Sequence, residues 1–122
     1  SLTERDYGIF EGKPYDVLKN DSAFRRWSDS DGLLAPPDGE SGAAFAERLN
    51  GALAKIIRDA AERSFSSAAV ITHGSGVEFL LKTHTAAPVS GRLDTRFQTV
   101  PGGGWRIEVS PDSPAFVSVR AL

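Results

Sequence analysis

The longest regular pattern in the chain runs from Gly42 to Arg63. There Phe45, Leu49, Leu53, Ile56 and Ala60 recur every three or four residues, while Glu47, Arg48, Lys55, Asp59 and Glu62 take the other side. That spacing predicts a helix with one face on a sheet and one in water, and Ser41 is placed to cap its start. A different pattern follows. Ala68-Ala69-Val70-Ile71-Thr72 is apolar and rich in β-branched residues, which predicts a strand covered on both faces. At Gly76 the spacing turns helical again through Val77, Phe79, Leu80 and Leu81. His73 therefore falls between the C-terminal end of a strand and the N-terminus of a helix, where open α/β sheets build their sites.

The remaining stretches are less regular. Ser1 to Asp31 is polar with scattered aromatics (Tyr7, Phe10, Tyr15, Phe24, Trp27) and reads as a loop followed by two short helices. These lie near Pro14–Lys19, with Pro14 at the first helical position, and Ser22–Ser28. Leu34 to Ser41 is a turn cluster around Pro36-Pro37-Asp38-Gly39. Beyond the second long helix, Pro88–Asp94 reads as a loop. Three strand-like runs follow, Arg96–Val100, Trp105–Val109 and Phe116–Val119, with Gly102-Gly103-Gly104 expected to link the first two as a hairpin.

The 122 residues suffice for one domain with one core. A formal charge of -2 gives no basic footprint, which argues against nucleic acid or an anionic membrane as a partner. No apolar run has the length of a membrane span. There is no cysteine, so disulfides and thiolate metal sites are excluded, and two histidines are too few for a histidine-rich metal centre. The expectation is a soluble, cytoplasmic protein without a metal.

Two places carry candidate chemistry. Backbone N–H groups of Gly74 to Val77 at a helix start, beside a cationic His73, suit an anion such as phosphate. In Leu2-Thr3-Glu4-Arg5-Asp6-Tyr7-Gly8, Glu4 can donate a proton, and Arg5 with Tyr7 can hold an anionic group. Arg5 can instead pair with Asp6 or Glu11. Glu40 reads as a helix N-terminal charge aiding the dipole, His84 as a surface residue at a helix C-terminus, and Trp27, Phe45 and Trp105 as packing residues. An α/β-hydrolase using His73-Gly74-Ser75-Gly76 as an oxyanion loop would need a downstream G-x-S-x-G elbow, and none occurs.

Glu4-Arg5-Asp6-Tyr7-Gly8, then Pro37-Asp38-Gly39-Glu40-Ser41, the amphipathic helix and Thr72-His73-Gly74 occur in that order. Together they resemble the histidine phosphatase superfamily, the phosphoglycerate mutase-like proteins, over nearly the whole chain. The resemblance implies an α/β fold, a three-layer α/β/α sandwich with a mostly parallel central sheet. It implies Glu4 as the general acid and His73 as the second active-site histidine, which binds the transferring phosphoryl group. Gly74 and Ser75 would bind substrate through their N–H groups, with Arg5 and Tyr7 at further substrate-contact positions. Neither metal nor cofactor is implied.

The family's nucleophile, a histidine in an Arg-His-Gly motif ending the first strand, has no counterpart here, and His84 lacks both flanking residues. The chain also contains no methionine. It is thus expected to be the C-terminal part of a family member, with the N-terminal strand absent. The edge of Ala69–Thr72 would then be completed by the missing N-terminal segment or by a second copy, as in a strand-swapped homodimer. Glu4 and His73 stand 69 positions apart, short beside the mutases. That favours a phosphatase acting on a small phosphorylated substrate, through a phosphohistidine in the complete form. The alternative is an inactive fragment or pseudo-phosphatase serving as a binding module.

Overall fold

The computed structural model describes residues 1–85 and 97–122. They fall into two compact units, one of Arg5–Arg48 and one of Ser1–Glu4 with Leu49–Leu122. A single turn of 3-10 helix at Gly8–Phe10 and two helices, α1 (Tyr15–Leu18) and α2 (Ser22–Asp29), lie in the first. The long helix α3 (Gly42–Glu62) begins there and continues into the second, which also holds α4 (Gly74–His84) and two strands, β1 (Trp105–Ser110) and β2 (Ser113–Ala121).

In Arg5–Arg48 the helix starts follow from capping chemistry. Asp21 Oδ1 accepts from the N–H groups of Ala23 at 2.7 Å and Phe24 at 3.1 Å, which fixes the start of α2. Ser41 Oγ accepts from Ala44 N–H at 3.1 Å, as the cap expected for α3. Pro14 caps α1 with extended backbone, one position before the helical site expected for it. Phe10, Leu18 and Phe45 are buried. Around Phe10 the rings interlock, with Phe24 at 5.3 Å and Trp27 at 5.9 Å between centroids. Gly8 makes this loop possible: its φ is +53°, and a Cβ there would lie 2.1 Å from the Pro37 carbonyl oxygen.

In the second unit Leu49 and Leu81 are wholly buried, and Leu80, Phe97 and Phe116 nearly so. Strands β1 and β2 pair antiparallel, with Trp105 opposite Ala121 and Ile107 opposite Val119. The register shifts near Val109, and α4 packs against β2. Trp105, Ile107, Phe116 and Val119 form the more buried side of the hairpin, while Arg106, Glu108 and Arg120 face water. No helix among the described residues is long and apolar enough to cross a membrane.

Three expectations need correction. Ala68–Thr72 is not a strand: it is irregular, with Val70 47% and Ile71 97% exposed. Among the described residues no main-chain hydrogen bond reaches residues 66–71, and a strand cannot persist without a neighbour to complete its ladder. Phe97–Val100 likewise forms no strand, while Arg96 and the Pro88–Asp94 loop lie outside the described residues. The hairpin joins β1 to β2 through Pro111-Asp112, whereas Gly102–Gly104 makes a separate turn closed by Gly103 N–H on Val100 C=O at 2.9 Å. Helices and sheet coexist, as the α/β class requires, and no parallel strand pair occurs among the described residues.

Replacing Leu81 by Ala empties a fully buried position and is expected to cost about 3 kcal/mol. Asp21→Ala removes only a cap and is expected to cost about 1 kcal/mol. Urea unfolding of the two variants beside the parent chain checks both.

Candidate active site

Within the unit that holds them, Glu4 and the His73 turn come together although they stand 69 positions apart in the sequence. Residues 1–7 form neither helix nor strand. The segment is tied by two hydroxyls: Thr72 Oγ1 donates to the Leu2 carbonyl at 2.5 Å, and Ser75 Oγ donates to Glu4 Oε1. His73 lies between those two hydroxyl residues. It is the residue before α4, with extended backbone (φ -98°, ψ 158°), and is exposed.

The helix starts earlier than the sequence spacing indicates, at Gly74, so Gly74 and Ser75 are its first residues. Val77 N–H closes the first helical turn on His73 C=O at 3.0 Å. The N–H groups that precede any intrahelical acceptor are therefore those of Gly74, Ser75 and Gly76, one fewer than expected. These three and the exposed imidazole are the donors this turn offers to an anion. Gly74 is tightly bounded, since a Cβ there would come within 2.8 Å of Thr99 Oγ1.

Arg5 and Tyr7 belong to the other compact unit. Arg5 is 9% exposed, and its guanidinium is engaged by backbone. Nη2 donates to the carbonyls of Gly32 at 2.7 Å, Glu40 at 2.9 Å and Leu34 at 3.2 Å, and Nε adds a 3.1 Å bond to Glu40. Tyr7, Trp27 and Phe45 present their rings to it at 5.8–5.9 Å. The neighbouring acids serve the loop backbone: Asp6 Oδ1 accepts from Gly8 N–H at 2.8 Å and Glu11 Oε1 from Tyr7 N–H at 2.9 Å. The Tyr7 ring meets Trp27 edge-on at 5.8 Å.

Glu40 does more than sit near a helix start. Its carboxylate takes a bidentate pair of bonds from Arg48, at 2.9 Å from Nε and 2.7 Å from Nη2. Both side chains are largely buried, and the bond from Arg48 holds the Glu40 carboxyl below the usual glutamate range. A separation of eight residues, from loop to helix, matches no local pairing rule, so the partnership was not visible in the sequence. His84 is likewise half-buried: its Nε2 lies 2.8 Å from Asn50 Oδ1, and its ring stacks obliquely on Phe116 at 5.2 Å. Among the described residues no cluster of three or more His, Cys, Asp or Glu could hold a metal ion.

This chain belongs to the histidine phosphatase superfamily (branch 1), whose family model matches residues 1–120. No curated protein and no solved structure matches it. The superfamily includes both phosphatases and mutases.

Arg5→Met should lower stability by about 3 kcal/mol, because the three loop carbonyls lose a charged donor. For Glu40 the sign runs with its lowered carboxyl: the Arg48 pair stabilises the fold at neutral pH and is lost as Glu40 protonates, below the usual glutamate range. Arg48→Met should therefore cost about 2 kcal/mol at pH 7, a deficit that shrinks as pH falls through that range. Urea unfolding between pH 7 and pH 3 measures both.

Proposed function

We propose that the chain supplies the general acid and the phosphoryl-binding turn of a phosphomonoester hydrolase that works through a phosphohistidine. The observation that carries this reading is the convergence of Glu4 with His73-Gly74-Ser75 through the Ser75–Glu4 hydrogen bond. In the first half-reaction an imidazole nitrogen of the nucleophilic histidine attacks phosphorus, the ester P–O bond breaks, and Glu4 gives its proton to the departing oxygen. Cationic His73 and the N–H groups of Gly74 and Ser75 meet the charge on the equatorial oxygens. In the second half the Glu4 carboxylate takes a proton from water as its oxygen attacks phosphorus. The P–N bond then breaks and inorganic phosphate leaves.

This scheme takes its nucleophile from an Arg-His-Gly motif, which these 122 residues do not contain. We read Ala68–Thr72 as a strand position of a three-layer α/β/α sandwich, filled when an N-terminal segment or a second copy pairs with it. Its exposed β-branched residues, and a main chain with no hydrogen-bonded partner among the described residues, support that reading. Arg5 holds the loops of its own unit, and Tyr7, half-buried against Trp27, is the substrate-contact candidate of that loop.

The chain alone is expected not to turn over p-nitrophenyl phosphate. The complete protein should do so, and His73→Ala should lower kcat about a hundredfold. Glu4→Gln should slow alkyl phosphates, whose leaving groups need a proton, about a hundredfold, and p-nitrophenyl phosphate less than tenfold. Steady-state kinetics on the two ester types decides the matter. Equal slowing of both would assign Glu4 to binding, and phosphate binding without any turnover would mark an inactive binding module.

A further inference from the structure

Resting on the reading of Glu4 as the acid, we propose that Thr72 and Ser75 are its positioning residues, two hydroxyls flanking His73 that set the acid in register with the phosphoryl-binding turn. A general acid must place its proton within hydrogen-bond reach of the leaving oxygen, about 2.6–3.2 Å between heavy atoms. Glu4 sits on a segment with no helix or strand to fix it, so the required precision has to come from elsewhere. Two contacts provide it, one on the main chain and one on the carboxyl. Thr72 Oγ1 holds the Leu2 carbonyl at 2.5 Å, two residues before the acid, and Ser75 Oγ holds Glu4 Oε1.

The two anchors differ in kind. Ser75 is the second residue of α4, so its hydroxyl is carried on a rigid element. A donor fixed on Oε1 directs the proton of the neutral acid to Oε2, the oxygen that must then deliver it. Thr72 immediately precedes His73, and any shift of the turn is passed to Leu2 through a single bond. The same four residues, Thr72 to Ser75, thus carry the phosphoryl-binding groups and the anchors of the proton donor. Holding both on one short run keeps the distance between acid and phosphorus constant.

The complete protein tests this by double-mutant kinetics on phenyl phosphate, a poor leaving group, and p-nitrophenyl phosphate, a better one. Thr72→Val and Ser75→Ala should each lower kcat for phenyl phosphate about tenfold and should slow p-nitrophenyl phosphate distinctly less. Thr72→Ser and Ser75→Thr, which keep the hydroxyl, should restore the rate. In a Glu4→Gln background neither loss should add further, because the proton being positioned is gone. If Glu4→Gln discriminates between the esters but the hydroxyl variants slow both equally, or add in full to Glu4→Gln, the positioning role is overturned while the acid stands. If Glu4→Gln itself fails to discriminate, the acid reading falls and the positioning role falls with it.

Discussion

A main-chain amide or carbonyl that leaves water must find a partner, and in a chain with this much irregular backbone that constraint decides which segments become structure. Between Arg5 and Arg48 the residues outside the helices are turns and irregular backbone, and the carbonyls of Gly32, Leu34 and Glu40 are met by one guanidinium. Arg5 suits the task because its planar fork offers several donors in fixed directions while its face lies against aromatic rings. Ala68 to Ile71 is the opposite case. Its apolar side chains favour burial, but its backbone has no neighbouring ladder among the described residues, and the segment stays in water.

The same economy of partners shapes the candidate site. Helix α4 needs no side-chain cap to begin at Gly74, which leaves three amides at its start and an exposed histidine before it. Two hydroxyls tie the irregular Ser1–Glu4 segment to this helix start. Membership of the histidine phosphatase superfamily accounts for why Glu4 and His73 occur in this order along the chain. The Ser75–Glu4 hydrogen bond brings the Glu4 carboxyl to the start of the helix that follows His73.

Ionic partnerships follow burial more than sequence distance. Glu40 and Arg48 form a bidentate pair with both side chains mostly removed from water, so protonation of Glu40 bears on stability. The i,i+4 pair of Lys55 and Asp59, which a helical wheel does reveal, is exposed and contributes little. Asp6 and Glu11, the acids the sequence offers Arg5 as alternative partners, instead accept from main-chain N–H groups of their own loop.

Periodicity and end signals in the sequence determined the elements that depend on local chemistry. The cap at Ser41, the helical spacing from Phe45 to Ala60 and from Val77 to Leu81, and the strand-like runs at Trp105 and Phe116 each became the expected kind of structure. Capping and amphipathicity act within one or two turns and need no distant residue. The motif around Glu4 and the Thr72-His73-Gly74 turn likewise identified the superfamily. What only the tertiary structure decided lies beyond that range. A strand needs a neighbour as well as β-branched residues, so Ala68–Thr72 could not be settled by its own composition. Which carbonyls Arg5 would meet, that Arg48 would bind Glu40, and that Ser75 and Thr72 would reach Glu4 and Leu2 depend on how loops far apart in sequence are brought together. No spacing rule encodes that, because hydrogen bonds respond to position in space and to exclusion of water, not to the number of residues between partners.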